Sequence, residues 1–301
     1  MQIAVTGATG FIGRYIIAEL AAQGHQLRCL YRRSSQIDGF AMFERQITWV
    51  LGDLAERNSA ATLVQGCDAV VHGALFHPGG GFQGGEGELI EFVQRNVVGS
   101  LALIEEARAA DVNRFLYISS CSVHDRILDD RPLDETHPTW AQTHYGAHKG
   151  AVEQFVHSYG YGMGYPICAL RPCGVYGVGL PVEDSKWFDL IRSIVHGEDV
   201  ECKRGGKEVH ASDVARAVSI LLTAEGIAGE AYNCCDRYVS EFEVATIARD
   251  ITESPAKVRG RITSPKHQIE TGKLQGLGMQ FGGRPLLEET VRELVDAIRN
   301  E

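Results

Sequence analysis

Thr6-Gly7-Ala8-Thr9-Gly10-Phe11-Ile12-Gly13 decides the fold. It follows a short β-branched run, Ile3 to Thr6, and opens a segment, Phe11 to Ala22, whose apolar residues recur at helical spacing. Gly24 stands where such a helix closes. A glycine-rich turn at a first strand-to-helix junction is the signature of a dinucleotide site. Gly7 permits the tight turn, Gly10 lets the amides around Thr9, Phe11 and Ile12 approach a pyrophosphate, and Gly13 lets helix and strand pack closely. The helix amino end adds partial positive charge.

Outward from that turn, Leu27 to Tyr31 reads as the second strand. An NAD site usually ends this strand on an acid that accepts from the ribose 2′-hydroxyl. Here Tyr31 is followed by Arg32, Arg33, Ser34 and Ser35. Two guanidiniums and two hydroxyls suit a 2′-phosphate, so NADP is favoured and NAD stays possible. A solvated basic turn is the alternative for these residues. Ile47 to Leu51 reads as a third strand, and Asp53, in Gly52-Asp53-Leu54, is placed to meet the adenine amino group.

The alternation continues with a helix at 57–65, a strand at 68–72, a helix at 89–110 and a strand at 114–119. A helix at 145–159 and a strand at 166–170 follow. This rhythm predicts an α/β fold, a Rossmann-type doubly wound parallel sheet covered by helices on both faces. After Leu170 the rhythm changes to helices at 185–196, 213–222, 241–251 and 287–299 with short strand-like joins. The expected division is a dinucleotide-binding domain over 1–172 and a smaller C-terminal α/β substrate lobe over 173–301, parts of which return to pack on the sheet. Pro78 to Gly87 holds six glycines in ten residues. It reads either as a surface insertion or as a flap over a site at the carboxyl edge of the sheet.

Composition narrows the class. A net charge of −10 argues against nucleic acid, which needs clustered Lys and Arg. Eight scattered cysteines without a C-x-x-C pair suggest buried thiols in a reducing cytosol. The first residues run straight into a strand pattern with no basic-then-apolar leader, and no apolar run approaches the roughly 20 residues of a membrane span. A cytoplasmic location with no membrane partner is the expectation.

Tyr145-Gly146-Ala147-His148-Lys149 places a phenol and an ammonium four apart on one helix face. A phenol titrating near 10 is a poor acid or base at neutrality, and a nearby Lys⁺ would stabilise its phenolate. A Tyr tuned in this way can exchange a proton with a carbonyl or alcohol oxygen during hydride transfer.

With these segments in view, the chain resembles an extended short-chain dehydrogenase/reductase, the family of sugar-nucleotide epimerases, dehydratases and related carbonyl reductases. The matching stretches run in the family's order. They include Gly52-Asp53-Leu54, Val71-His72-Gly73-Ala74, Asn96-Val97-Val98-Gly99, Tyr117-Ile118-Ser119-Ser120, Leu170-Arg171-Pro172 and Val209 to Ala215. The resemblance implies that Ser120 holds the substrate oxygen, with Ser119 and Ser122 as competing choices. It implies that Tyr145 is the general acid/base and that Lys149 tunes it and binds the nicotinamide ribose. Gly73 and Ala74 would let the cofactor approach, Asn96 would hold the long helix or support a proton relay, and a homodimer is implied.

Departures from the family pattern matter too. Gly174 stands where sugar-nucleotide enzymes usually carry Asn, Lys207 lies where an Arg often holds the diphosphate, and His124 replaces a usual tyrosine. These favour a simpler ketone, aldehyde or alcohol as the small-molecule substrate. His124 and His210 could line its pocket or be ordinary hydrogen-bonded histidines. His144 and His148 have a metal-capable spacing, but no third ligand has an address, so no metal is expected. The reading is an NADP(H)-favouring oxidoreductase. An epimerase or dehydratase with tightly held NAD(P), and a non-catalytic redox sensor, are its rivals.

Overall fold

The computed structural model describes residues 1–79 and 84–300. Seven parallel strands form the main sheet: β1 (Gln2–Thr6), β2 (Gln26–Tyr31), β3 (Ile47–Leu51), β4 (Ala69–His72), β5 (Phe115–Ile118), β6 (Ile167–Pro172) and the strand Glu230–Cys234. Their spatial order is β3-β2-β1-β4-β5-β6, with Glu230–Cys234 outside β6. The strands at its centre are apolar without alternation, because helices cover both faces. Ile3, Ala4, Val5, Ala69, Val70 and Val71 are all buried. The α/β, Rossmann-type reading of the sequence holds. Strand order reverses between β1 and β4, and such a reversal leaves a crevice at the carboxyl ends of the two strands.

The helices of this unit include α1 (Phe11–Ala22), α2 (Arg57–Val64), α3 (Leu89–Val93), α4 (Gly99–Ala109) and α5 (His144–Met163). The stretch expected as one helix over 89–110 is interrupted. Residues 94–98 form a wide π-type turn between α3 and α4, a feature that often marks functional positions. Thr143 caps α5 by accepting the Gly146 N–H at 3.0 Å, and Gly164 ends the helix in the left-handed conformation.

The chain divides into two compact units. One comprises Met1–Pro172, Val214–Cys234 and Glu270–Met279; the other comprises Cys173–Asp213, Cys235–Ile269 and Gln280–Glu301. The segments that join the first unit include the edge strand Glu230–Cys234 and most of the helix Ala211–Thr223. The second unit has its own core. Helices Phe188–Val195, Glu241–Thr252 and Gly283–Arg299 bury Phe188, Ile191, Val244, Leu287, Val291 and Leu294. Beside them lies a small sheet in which Gly205–His210 pairs with Gly174–Tyr176 and with Arg237–Ser240. No helix among the described residues is long and apolar enough to cross a membrane.

α5 is seated by contact with backbone. A Cβ on Gly160 would stand 1.9 Å from the Gly229 nitrogen, and His157 Nδ1 meets the Gly229 carbonyl at 2.7 Å. Gly160→Ala should therefore push α5 off the sheet and lower stability by about 2–3 kcal/mol. Urea unfolding should show a lower midpoint at unchanged slope; a wild-type midpoint would contradict this packing.

Candidate active site

The glycine turn is sterically full. Gly7 has φ +75°, and a Cβ there would lie 2.6 Å from the Gly73 carbonyl carbon. A Cβ on Gly13 would lie 2.0 Å from the Gly7 oxygen, and Gly10 N donates to that same oxygen at 3.1 Å. Helix α1 starts with no side chain capping it and no acid in its first turn. Thr9, Gly10, Phe11 and Ile12 lie along this open, electropositive end. The arrangement fits a pyrophosphate, which would supply the acceptors that the helix end lacks.

At the end of β2, Tyr31 is half-buried, and Arg32 and Arg33 are exposed. The turn is fixed: Arg32 N donates to Ser35 Oγ at 3.0 Å, and Ser35 N to the Arg32 carbonyl at 2.8 Å. From α1, Arg14 donates to the carbonyls of Asp38 and Gln36 at 2.7 and 3.0 Å, and lies over the Phe40 ring. On the other side, Asp53 accepts from Ala55 N at 2.9 Å and from Arg95 Nη1 at 3.2 Å. Arg95 stacks over Phe76, 4.4 Å from its centroid. Leu54 packs on the core of this unit, and its carbonyl would lie 3.1 Å from a Cβ on Gly99. No motif or spacing in the chain points to Arg95.

A buried polar chain ties the crevice together. Ala74 N donates to Thr6 Oγ1 at 3.1 Å, and Gly73 N to the Thr6 carbonyl at 3.1 Å. Thr6 Oγ1 meets His72 Nδ1 at 2.6 Å, His72 Nε2 meets Ser100 Oγ at 2.8 Å, and Ser100 Oγ donates to the Asn96 carbonyl at 2.5 Å. Burial pushes His72 down to about 3, so the ring is neutral. One assignment then satisfies the chain: Thr6 donates to Nδ1, and Nε2 donates to Ser100. Asn96, on the π-type turn, accepts from Phe76 N at 2.8 Å and donates to the Phe76 and Phe92 carbonyls at 2.9 and 3.0 Å. It holds the loop that leaves β4.

The structure brings Ser120 and Tyr145 together, and separates the three serines. Ser120 Oγ caps the short turn after β5 by accepting from Ser122 N at 3.1 Å, and it hydrogen-bonds the Tyr145 phenol. Ser119 faces away and donates to the buried carboxylate of Glu153. Lys149 is 4% exposed. Its ammonium donates to the Ile118 carbonyl at 2.8 Å and lies 4.9 and 6.0 Å from the Tyr117 and Tyr145 ring centroids. Burial brings Lys149 down to about 7, with Glu153 opposing.

Tyr145 therefore departs from the expectation that Lys149 lowers its pKa. Burial raises it, and the Ser120 hydrogen bond opposes that rise. The physical reason is the direction of the ammonium, which is engaged at Ile118. His148, on the same helix, is pushed down to about 2 by burial and packs its ring edge-on against Phe92 and Tyr145. Glu86 is fastened to the start of α5. Its carboxyl is held below the usual range first by its own backbone N–H, then by those of Gly84 and Tyr145, with burial opposing. The flap reading of 78–87 falls in part on residues 80–83, which lie outside the described residues.

The residues expected to face substrate are placed variously. His124 is 3% exposed; Nε2 meets Arg171 Nη1 at 3.1 Å and Nδ1 meets the Pro138 carbonyl at 3.3 Å. Burial and then the Arg171 charge bring it down to about 4, so it is a neutral part of a buried cluster. In the second unit, His210 Nδ1 meets Ser212 Oγ at 2.6 Å, and its ring packs on Tyr176. A Cβ on Gly174 would lie 2.6 Å from Glu208 Oε2. The buried Glu208 carboxylate, paired with Lys186 Nζ at 2.5 and 2.6 Å, fills the room the missing side chain leaves. Among the described residues, no group of three or more His, Cys, Asp or Glu side chains could hold a metal ion.

Lys149 offers a pH test. A base whose folded pKa is depressed costs stability fully below that pKa, and the cost fades as pH rises to the unfolded value. For Lys149 the window runs from about 7 to 10.5. Lys149→Met should raise the urea midpoint at pH below 7, by a gain on the order of 2–4 kcal/mol. That gain should shrink as pH climbs through the window. A loss of stability at neutral pH would contradict the burial cost.

Comparison with known proteins gives this geometry a family. The chain is 31% identical over 196 residues to a 3-beta-hydroxysteroid dehydrogenase of Mycolicibacterium neoaurum, covering 63% of this chain. It spans about half of that relative, 52% of its length. It is 26% identical over 269 residues to the dTDP-D-glucose 4,6-dehydratase of Mus musculus, covering 84% of this chain and 72% of that one. In fold it matches a solved UDP-glucose 4-epimerase from Thermotoga maritima with TM-score 0.80 at 20% identity, over 100% of this chain and 99% of the other. A dTDP-glucose 4,6-dehydratase from Streptomyces venezuelae, solved with NAD bound, matches with TM-score 0.77 at 22% identity, over 97% and 96%. Residues 3–235 match the model of the NAD dependent epimerase/dehydratase family, and the chain belongs to that family of enzymes.

Proposed function

We propose that this chain is an NADP(H)-preferring oxidoreductase that interconverts a carbonyl and an alcohol, with Ser120, Tyr145 and Lys149 as its reacting centre. The observation that carries the reading is the Tyr145 phenol hydrogen-bonded to Ser120, with the Lys149 ammonium buried one helical turn away. A nicotinamide dinucleotide, when bound, supplies or accepts the hydride. Gly7, Gly10, Gly13 and the amino end of α1 hold its pyrophosphate, and Arg32 and Arg33 meet the 2′-phosphate. Asp53 and Leu54 border the adenine, and Gly73 and Ala74 leave room at the β4 edge.

Ser120 donates to the substrate oxygen, and Tyr145 gives it a proton or takes one. Lys149, turned from Ile118 toward the phenol, stabilises the phenolate. The dehydrogenase among the relatives supports this reading, as does a 4-hydroxy-2-methyl-3-oxo-4-farnesyl-3,4-dihydroquinoline-1-oxide ketoreductase of Stigmatella aurantiaca, 27% identical over 246 residues. Glu208 beside Gly174 weighs against a nucleotide-sugar substrate.

The likeness to the dTDP-glucose dehydratase covers more of the chain and favours a second reading, a sugar-nucleotide epimerase or dehydratase. Cofactor retained through purification with no net NADPH consumption would support it. We also propose a homodimer, on the exposed apolar residues Leu89, Ile90, Val93 and Val98 of the 89–110 stretch and on exposed Phe155 of α5. Eight cysteines that form no disulfide fit a reducing, cytoplasmic setting.

Two variants test the main reading. Tyr145→Phe should lower turnover by about 10²–10⁴-fold while dinucleotide affinity, followed by fluorescence, stays near wild type; surviving activity refutes the acid/base role. Arg32→Ala should weaken NADPH binding relative to NADH by about ten- to a hundredfold. An unchanged ratio that favours NADH would overturn the cofactor preference.

A further inference from the structure

On the reading that Tyr145 and Ser120 carry the proton transfer, we infer that Glu153 is a positioning residue for that pair: through Ser119 it fixes the turn carrying Ser120, and along α5 it sets the charge of Lys149. Tyr145, Lys149 and Glu153 follow one another at four-residue steps, so they form one stripe on α5. Each tooth of that stripe meets the carboxyl edge of β5. Tyr145 meets Ser120, Lys149 meets the Ile118 carbonyl, and Glu153 accepts from Ser119.

The carboxylate is immobile. Arg171 of β6 grips it with Nε at 2.9 and 3.1 Å and Nη2 at 2.6 Å, and both side chains are 1–2% exposed. Arg171 is itself held by His124 Nε2 and by the Glu135 carbonyl. The Ser119 backbone is pinned to β6 through the Leu170 carbonyl at 2.7 Å. With backbone and side chain both fixed at Ser119, the next residue has little freedom, and its hydroxyl points at the phenol.

The charge argument rests on the groups around Lys149. From β5 it meets the Ile118 carbonyl and the Tyr117 ring, from β4 the neutral His72, and from its own helix Tyr145 and the neutral His148. Arg171 and the neutral His124 stand behind Glu153. Within this group Glu153 is the one negative charge, and it favours the protonated lysine against burial.

The test uses the full-length chain and three variants: Glu153→Gln, Glu153→Asp and Ser119→Ala. The Lys149 midpoint is read by NMR on protein labelled at lysine Cε, and kcat and KM by NADPH-dependent reduction of phenanthrenequinone. In Glu153→Gln the Lys149 midpoint should fall by about one unit or more, while Glu153→Asp, which keeps the charge, should leave it near wild type. Ser119→Ala should leave the midpoint unmoved and lower kcat about ten- to a hundredfold at nearly constant KM.

A Glu153→Gln midpoint at the wild-type value, or a Ser119→Ala kcat at the wild-type value, overturns the corresponding half of the inference. Should Glu153→Gln fail to fold because Arg171 loses its partner, Ser119→Ala still decides, since it leaves the ion pair intact. Should the wild type not reduce the quinone, the oxidoreductase reading fails while the NMR titration still judges Glu153.

Discussion

A lysine ammonium held almost out of reach of water is the constraint around which this site is organised. Burial works against its charge, and three groups work for it: the Ile118 carbonyl at 2.8 Å, the face of Tyr117 and the carboxylate of Glu153. The balance leaves Lys149 near about 7, where small changes in its surroundings alter its protonation. A buried phenol beside it is raised by the same loss of water. Lys149 is therefore poised between its two protonation states, whereas the phenol keeps its proton until added positive charge in the crevice favours its anion.

The rest of the first unit supports that arrangement from two sides. Toward β1, glycines at positions 7 and 13 bring backbones closer than any side chain permits, and the Thr6-His72-Ser100-Asn96 chain locks the β4 loop. Toward β6, Arg171 and Glu153 lock the turn after β5. Ser120, Tyr145 and Lys149, the proposed reacting groups, lie between these two hydrogen-bonded walls, an arrangement that suits a few side chains holding one geometry. An ion pair so deeply buried is weak evidence for stability but a strong determinant of where its neighbours stand.

The parts written locally in the chain were legible. The glycine turn at the first strand-to-helix junction and the four-residue step from Tyr145 to Lys149 along one helix each occupy a few consecutive residues, so their local geometry follows from the chain. The parts that depend on strand order were not. Pairing of Glu153 with Arg171 requires that α5 pack against β5 and β6, and no spacing announces it. The π-type turn at 94–98 hides inside a helical pattern, because one extra residue per turn barely disturbs apolar periodicity. For His124 the chain left two readings open, a pocket lining or an ordinary hydrogen-bonded histidine, because burial is invisible in residue type and position. Segments 214–234 and 270–279 return to the first unit for the same reason: an edge strand can be recognised, but its neighbour cannot.

The most direct measurement of the central claim is an ultraviolet phenolate titration of the protein with and without oxidised NADP. The account predicts that one tyrosine ionises at lower pH when the positively charged nicotinamide ring of the bound dinucleotide is present, and that this transition vanishes in Tyr145→Phe. A titration unaltered by the dinucleotide, or one that persists in Tyr145→Phe, would contradict it.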